Sequence, residues 1–286
     1  MQQRNPLLGT LAQVEVTSTS AAIAEAVEDA AFAEAERLEA LFTIYDDASA
    51  VSELRRAGTT EIPELRDVIQ LSADWRRRTR GAFSQTMQPL IDLWNLAEVV
   101  GVVPSDEELA VTVQVANTEL HRHADFNGIA KGWIADRSVA VALDTADDSV
   151  KGAWLNIGGD LVHSGGGDVV VGIEDPDRPY DNVAPLCNVT VSNEALATSG
   201  GGRRWWIIDG LRYAKVLDPR TGRPATGISS ASVVASSAAV ADVLATVALV
   251  LSPDETLGLV ADVGAEVLLV LADGEIVTSS DRFRFG

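Results

Sequence analysis

Cysteine, histidine and lysine are all scarce in this chain, and each shortage closes off a kind of chemistry. The single cysteine, Cys187, excludes an internal disulfide and any cysteine-rich metal site. The three histidines, His121, His123 and His163, lack metal-ligand spacing with a third ligand. They read as surface residues, with pairing of His121 and His123 on a strand edge as the alternative. Basic residues number 22 against 42 acidic ones. The resulting net charge of −20 argues against a nucleic-acid or anionic-membrane partner. A transmembrane segment is not expected either. The Ser229–Leu251 run has the length, but Asp242 and its many Ser and Ala residues weaken it. A buried strand followed by a buried helix is the better reading. No apolar leader follows Met1-Gln2-Gln3-Arg4-Asn5-Pro6, so no signal peptide is visible and a cytoplasmic protein is expected. Phosphate-loop, dinucleotide and nucleophile-elbow patterns are also missing.

What is present is ample apolar material: 47% of 286 residues are hydrophobic and 22% charged, a soluble globular composition. Leu11–Val16 alternates as a strand should. Ile23, Val27, Ala31, Leu38 and Leu41 recur on one face of a helix over Ala21–Phe42. A polar loop is expected from Tyr45 to about Ser52. Pro63 opens a second helix that ends in the solvated tract Arg76-Arg77-Arg78, and a third spans Ser105 to Asn117. Beyond residue 150 the texture turns to strands, at Ala153–Ile157, Val169–Ile173, Leu186–Ser192, Trp205–Ile208 and Tyr213–Leu217. A helix over Pro253–Val263 and a hairpin turning at Asp273-Gly274 follow. Helices early and strands late, without regular alternation, predict an α+β fold with mixed or antiparallel sheets flanked by helices.

Asp242 is the residue that composition explains least. It stands in Ala231–Leu251, a stretch otherwise built of Val, Ala, Leu, Ser and Thr, where a carboxylate is costly unless paired or coordinated. If Ala238–Leu251 is helical, Thr246 shares its face, and a carboxylate with a hydroxyl suits a hard cation such as magnesium. The plainer reading is that Asp242 caps a helix beginning near Ser236 or Ser237.

Several Gly-rich polar segments accompany it. Asp125-Phe126-Asn127-Gly128-Ile129-Ala130-Lys131-Gly132 places a carboxylate and a scarce Lys on either side of a tight turn entering a helix. Only Lys131, Lys151 and Lys215 are lysines, so each raises the question of a required amine. Backbone amides at such a turn can hold phosphate. Asn156-Ile157-Gly158-Gly159-Asp160 is a strand ending in glycines that admit a ligand close to the backbone. Ala197-Thr198-Ser199-Gly200 and Asp218-Pro219-Arg220-Thr221-Gly222 read as further polar turns following strands.

In their order, these segments resemble the FAD:protein FMN transferases, the ApbE-like family. The likeness begins at Leu8-Gly9-Thr10 and continues through Leu41-Phe42-Thr43-Ile44-Tyr45 and Gly81-Ala82-Phe83. It then takes in the segments above and closes at Ala241-Asp242-Val243-Leu244-Ala245-Thr246. The resemblance covers nearly the whole chain and implies one two-lobed domain over residues 1–286 with a ligand cleft between the lobes. It implies an enzyme that cleaves FAD with Mg2+, moves FMN onto a Thr or Ser hydroxyl of an acceptor flavoprotein with an FMN-binding domain, and releases AMP. By the same resemblance, Asp242, Thr246 and a backbone carbonyl near Gly128 hold magnesium. Leu8, Tyr45, Ala82, Phe83, Ser84, Asp125, Lys131, Thr198 and Val216 line the FAD site, and Lys215 and Asp218 serve catalysis beside the scissile phosphates.

Some positions depart from the family pattern. Lys215 stands where the family usually has His, as a base if its surroundings favour the free amine and otherwise as a phosphate clamp. Leu8 replaces a usual Met, Ser84 a usual Asp, and Asn127 a usual Gly, Ser or Ala. Gly201-Gly202 follow where an acidic or amide residue and an aromatic are usual. These changes leave two alternatives open: a flavin-binding paralogue without transferase activity, and an FAD pyrophosphatase giving FMN and AMP.

Overall fold

The computed structural model describes residues 1–178, 183–200 and 205–285; Gly201 and Gly202 lie outside them. Strands β1 (Gln2–Leu7) and β2 (Thr10–Ser18) form an opening hairpin, and α1 (Ala21–Phe42) follows with Ser20 as its N-cap. Next come α2 (Ala50–Ala57), α3 (Pro63–Arg78), α4 (Gln88–Val100), α5 (Asp106–Ala116) and α6 (Ala130–Asp144). The strand-rich part holds β3 (Val150–Ile157), β4 (Asp160–Gly165), β5 (Val169–Ile173), β6 (Cys187–Val191), β7 (Ala195–Gly200), β8 (Trp205–Ile208) and β9 (Leu211–Ala214). The chain closes with β10 (Ile228–Ala235), α7 (Ala238–Ala248), α8 (Pro253–Asp262), β11 (Glu266–Leu271), β12 (Ile276–Thr278) and β13 (Arg284–Phe285).

The α+β expectation holds. One eight-stranded sheet has the order β1-β2-β3-β4-β7-β10-β11-β12, beside a three-stranded sheet β13-β6-β5 and the hairpin β8-β9. The pairings between named strands are antiparallel.

Period-two alternation decides what each face of the large sheet covers. On β10 and β11, Ala231, Val233, Val267 and Leu269 turn toward the cluster built on α1, α6 and α7. Val234, Leu268 and Val270 turn the other way, toward Val189 and Val191 of the small sheet. Both faces of these strands are therefore buried, which is why β10 reads as an unbroken small-apolar run. A third cluster joins α4 and α5 to β8 through Leu90, Trp94, Leu109, Trp206 and Ile208.

Four local expectations change. The polar stretch after Tyr45 contains α2, capped by Ser49 and ended by left-handed Gly58, with Val51 and Leu54 buried. Ala197–Gly200 is the end of β7 rather than a turn, because it pairs residue by residue with β10. The strand expected over Tyr213–Leu217 stops at Ala214, leaving Lys215 beyond it and Leu217 in an isolated bridge with Pro224. His121 and His123 lie in a 3-10 turn, His121 Nδ1 meeting the Gly58 carbonyl at 2.8 Å, and His163 is buried on β4. Among the described residues no helix is long and apolar enough to cross a membrane.

Candidate functional site

The site is organised by the crossing of α6 and α7. A Cβ on Gly132 would fall 2.2 Å from the Ala238 carbonyl oxygen, so only glycine lets the two helices meet there. Around that contact each helix uses a carboxylate to close the other's open amino end. Asp136, one turn beyond Gly132, accepts from the amides of Ala238 and Ala239 at 2.8 and 2.9 Å. Asp242, one turn beyond Ala238, accepts from the Gly132 amide at 3.3 Å. Each amide belongs to a first helical turn, which has no partner of its own, and each carboxylate meets the positive end of a helix dipole. Asp242 is thus inside α7, whose own N-cap is Ser237. The capping explanation for Asp242 is overturned for its own helix and holds, in altered form, for its neighbour.

Asp242 faces a second buried acid. Lys131 Nζ pairs with Asp160 and lies 4.0 Å from Asp242 Oδ1. Burial, then the nearby Asp242, pushes the Asp160 carboxyl up to about 7, against the pull of Lys131. Burial likewise pushes Asp242 up, against Lys131 and the Gly132 amide. Two buried carboxyls therefore sit beside one ammonium, a cluster whose ionised form gains from further positive charge.

The oxygens nearby suit a hard cation. Thr246 stands one turn beyond Asp242 on α7, and its Oγ1 is 3.2 Å from Ser199 Oγ on β7. A Cβ on Gly128 would lie 3.6 Å from Thr246 Oγ1 and 3.4 Å from the Phe83 ring, so the Gly128 backbone reaches the same place. Among the described residues no three His, Cys, Asp or Glu side chains gather as a metal centre. A cation here would take mixed oxygen donors, which fits magnesium better than a transition metal.

The other sequence-selected residues form the surroundings. Asp125 is buried, accepts from the Asn127 amide at 2.9 Å, and has its carboxyl pushed up by burial against that bond and Arg55. Ala82 and Phe83 are buried, and Ser84 Oγ meets Thr86 Oγ1 at 2.9 Å. Leu8 takes a left-handed conformation at the β1–β2 turn, its amide bound to Glu39 at 2.8 Å. Tyr45 is exposed. Thr198 bonds Ser232 on β10 at 2.8 Å, so its neighbour Ser199, not Thr198, meets Thr246.

Lys215, Val216 and Asp218 belong to a second group. Lys215 Nζ lies 5.4 Å above the Trp206 ring centroid, a cation–π contact. Trp206 is fixed by a 2.8 Å bond from Nε1 to Asn95 and by stacking on Trp94. Val216 accepts from the Ala225 amide at 2.9 Å, and Asp218 is held by Arg220 through Nε at 2.9 Å and Nη2 at 2.8 Å. A Cβ at Gly81 would lie 3.7 Å from Arg220, so the Gly81–Phe83 segment touches both groups.

Sequence reasoning missed Asp136 and gave no role of their own to Asp160, Gly132 and Ser199. Asp160 closes the segment Asn156-Ile157-Gly158-Gly159-Asp160, and its place after two glycines was the available signal. Gly158 has a packing role as well: a Cβ there would meet Thr10 Cγ2 of β2 at 2.6 Å, whereas a Cβ on Gly159 would meet nothing within 4 Å. Two surface hollows, of about 410 and 340 Å3, are lined respectively around His121 and around Val113 and Arg220. Neither is lined by Asp242, and the chemistry above argues for the α6–α7 crossing over both.

With the geometry in place, comparison with known proteins is specific. The model of the ApbE family matches residues 8–269. An FAD:protein FMN transferase of Klebsiella pneumoniae (strain 342) is 26% identical, over 94% of this chain and 83% of its own length. One from Treponema pallidum (strain Nichols) is 28% identical, over 97% and 87%. Among solved structures, the ApbE protein of Thermotoga maritima matches with a TM-score of 0.84 at 26% identity, covering 98% of this chain and 97% of that one. The flavin transferase ApbE of Vibrio cholerae matches at 0.75 and 22% identity over 98% and 97%, a likeness of fold.

Proposed function

Since the chain belongs to the ApbE family, we propose that it is an FAD:protein FMN transferase acting as one domain over residues 1–286. The observation that carries this reading is the convergence of buried Asp242 with half-buried Thr246, Gly128 and Lys131 at the α6–α7 crossing. The names of its relatives point to the same reaction.

In this reading the acceptor is an FMN-binding domain of a flavoprotein, presenting a Thr or Ser hydroxyl. The hydroxyl oxygen forms a bond to the FMN-side phosphorus of FAD. The anhydride bond breaks, and its bridging oxygen leaves with AMP. Asp242, Thr246 and the Gly128 carbonyl hold Mg2+, which when bound neutralises charge on the phosphate oxygens. Lys131 adds a point charge beside them and keeps Asp160 and Asp242 in place. Phe83, Ala82, Leu8 and Val216 supply apolar surface for the flavin, and Tyr45, Ser84, Asp125 and Thr198 supply polar contacts.

In this reading Lys215 acts as a clamp on phosphate rather than as a base. Its ammonium lies over the Trp206 ring, an arrangement that attracts a cation and suits a clamp on the transferring phosphoryl group. Asp218, three residues on, takes the acceptor's proton. Coexpression with an FMN-binding domain tests the reading by intact mass. A gain of one FMN on the acceptor, dependent on Asp242, is expected. AMP release with no gain in acceptor mass reassigns the chain as an FAD pyrophosphatase.

A further inference from the structure

We propose that Asp136 is the positioning residue of this site. Its carboxylate docks the amino end of α7 onto α6, and so fixes where Asp242 and Thr246 present their oxygens. The inference rests on the cation reading above and adds a residue that does not itself touch the cation.

Three observations support it. Asp136 accepts from the backbone amides of Ala238 and Ala239, not from any of the oxygen donors' side chains. Both alanines are buried, at 0% and 3% exposure, so water does not replace those bonds when the carboxylate is removed. Second, Asp242 is one turn along the same helix from Ala238, roughly 6 Å of axial rise. A slip of the α7 amino end is therefore passed to Asp242 with little attenuation. Third, the Gly132–Ala238 contact leaves no slack between the helices, since any side chain at Gly132 meets backbone. Asp136 draws α7 in, Gly132 permits the approach, and Asp242 closes the loop on the Gly132 amide. Residues that orient metal ligands in this way commonly govern cation affinity without touching the ion.

A purely structural cap predicts a different outcome, which makes the proposal testable. Mn2+ titration of the intact protein, by calorimetry or electron paramagnetic resonance, is expected to show Asp136→Asn binding about 10- to 100-fold more weakly than wild type. Ser252→Ala, which removes the side-chain cap of α8, is expected to lower Tm while leaving the Mn2+ Kd unchanged. An unaltered Kd in Asp136→Asn overturns the proposal. Should that variant fail to fold, Asp136→Glu carries the test, since it keeps the charge and displaces it by one methylene.

Hydrogen exchange on the cation-free protein provides the second readout. The Gly132 amide, held by Asp242, is expected to exchange at least 10-fold faster in Asp136→Asn, and unchanged protection also overturns the proposal. A wild type that binds no Mn2+ removes the cation site itself. In that case the exchange result alone decides whether Asp136 places Asp242.

Discussion

Asp136 on α6 and Asp242 on α7 close each other's helices, the first through the Ala238 and Ala239 amides and the second through the Gly132 amide. The arrangement accounts for two acids in an apolar crossing. Each is bonded to donors that would otherwise be unpaired, and each lies at the positive end of the opposite helix. It also ties the position of the candidate cation ligand to the packing of the two helices.

Packing at the crossing predicts the cost of one methyl group. Gly132→Ala places a Cβ against the Ala238 carbonyl, where backbone rather than a flexible side chain must yield. We expect a loss of about 3 kcal/mol or more in urea unfolding. An unchanged midpoint would mean that the helices are not locked together there.

Acid is predicted to strengthen the same crossing. Burial pushes the Asp136 carboxyl up to about 6, against the bonds from Ala239, Ala238 and Ser237, whereas the unfolded chain keeps it near 3.8. Between those values the folded state binds the proton more tightly, so this contribution to stability is full below about 3.8 and is lost as pH rises through about 6. The destabilisation caused by Asp136→Asn is therefore expected to be larger at pH 5 than at pH 7.5, by on the order of 1–2 kcal/mol. Equal destabilisation at the two pH values contradicts this.

Much of this fold was legible because its periodicities are clean. The helix read over Ala21–Phe42 has those limits, and Pro63 and Ser105 mark helix starts as expected. Strand and helix around Asp242 were legible from small apolar residues in a run long enough for a membrane span but too rich in Ser and Ala, and interrupted by Asp242. Hidden elements had weak local signals. In α2 only eight residues carry the pattern, three of them charged, and Val51 and Leu54 find their partners through tertiary packing. Asp136 was invisible for a different reason. On an amphipathic helix a carboxylate looks solvated, and its partners lie 102 and 103 residues away. Asp242 was legible because its sequence neighbours are apolar, while the identity of its partners was not.

At the second group, charge is predicted to matter more than the free amine. Lys215→Arg keeps a cation that can stack on Trp206 and is expected to retain at least about a tenth of the transfer rate. Lys215→Ala is expected to lose about 100-fold or more. If Arg and Ala are equally impaired, Lys215 acts as a base and the clamp assignment fails.

Thr246 and Ser199 separate the cation from the hydrogen bond. Thr246→Val removes the hydroxyl with little change in shape and is expected to raise the Mg2+ concentration for half-maximal transfer about 10-fold or more. Ser199→Ala removes the partner of that hydroxyl and is expected to shift it less. Equal shifts in the two variants would place the role in the Ser199–Thr246 bond.

The most direct measurement follows AMP and acceptor mass together, with purified chain, FAD, Mg2+ and an FMN-binding acceptor domain. The account predicts one AMP released for each FMN attached to the acceptor, both abolished by Asp242→Asn while that variant still folds. FMN attachment that proceeds equally well in Asp242→Asn, or no attachment by the wild type, would contradict it.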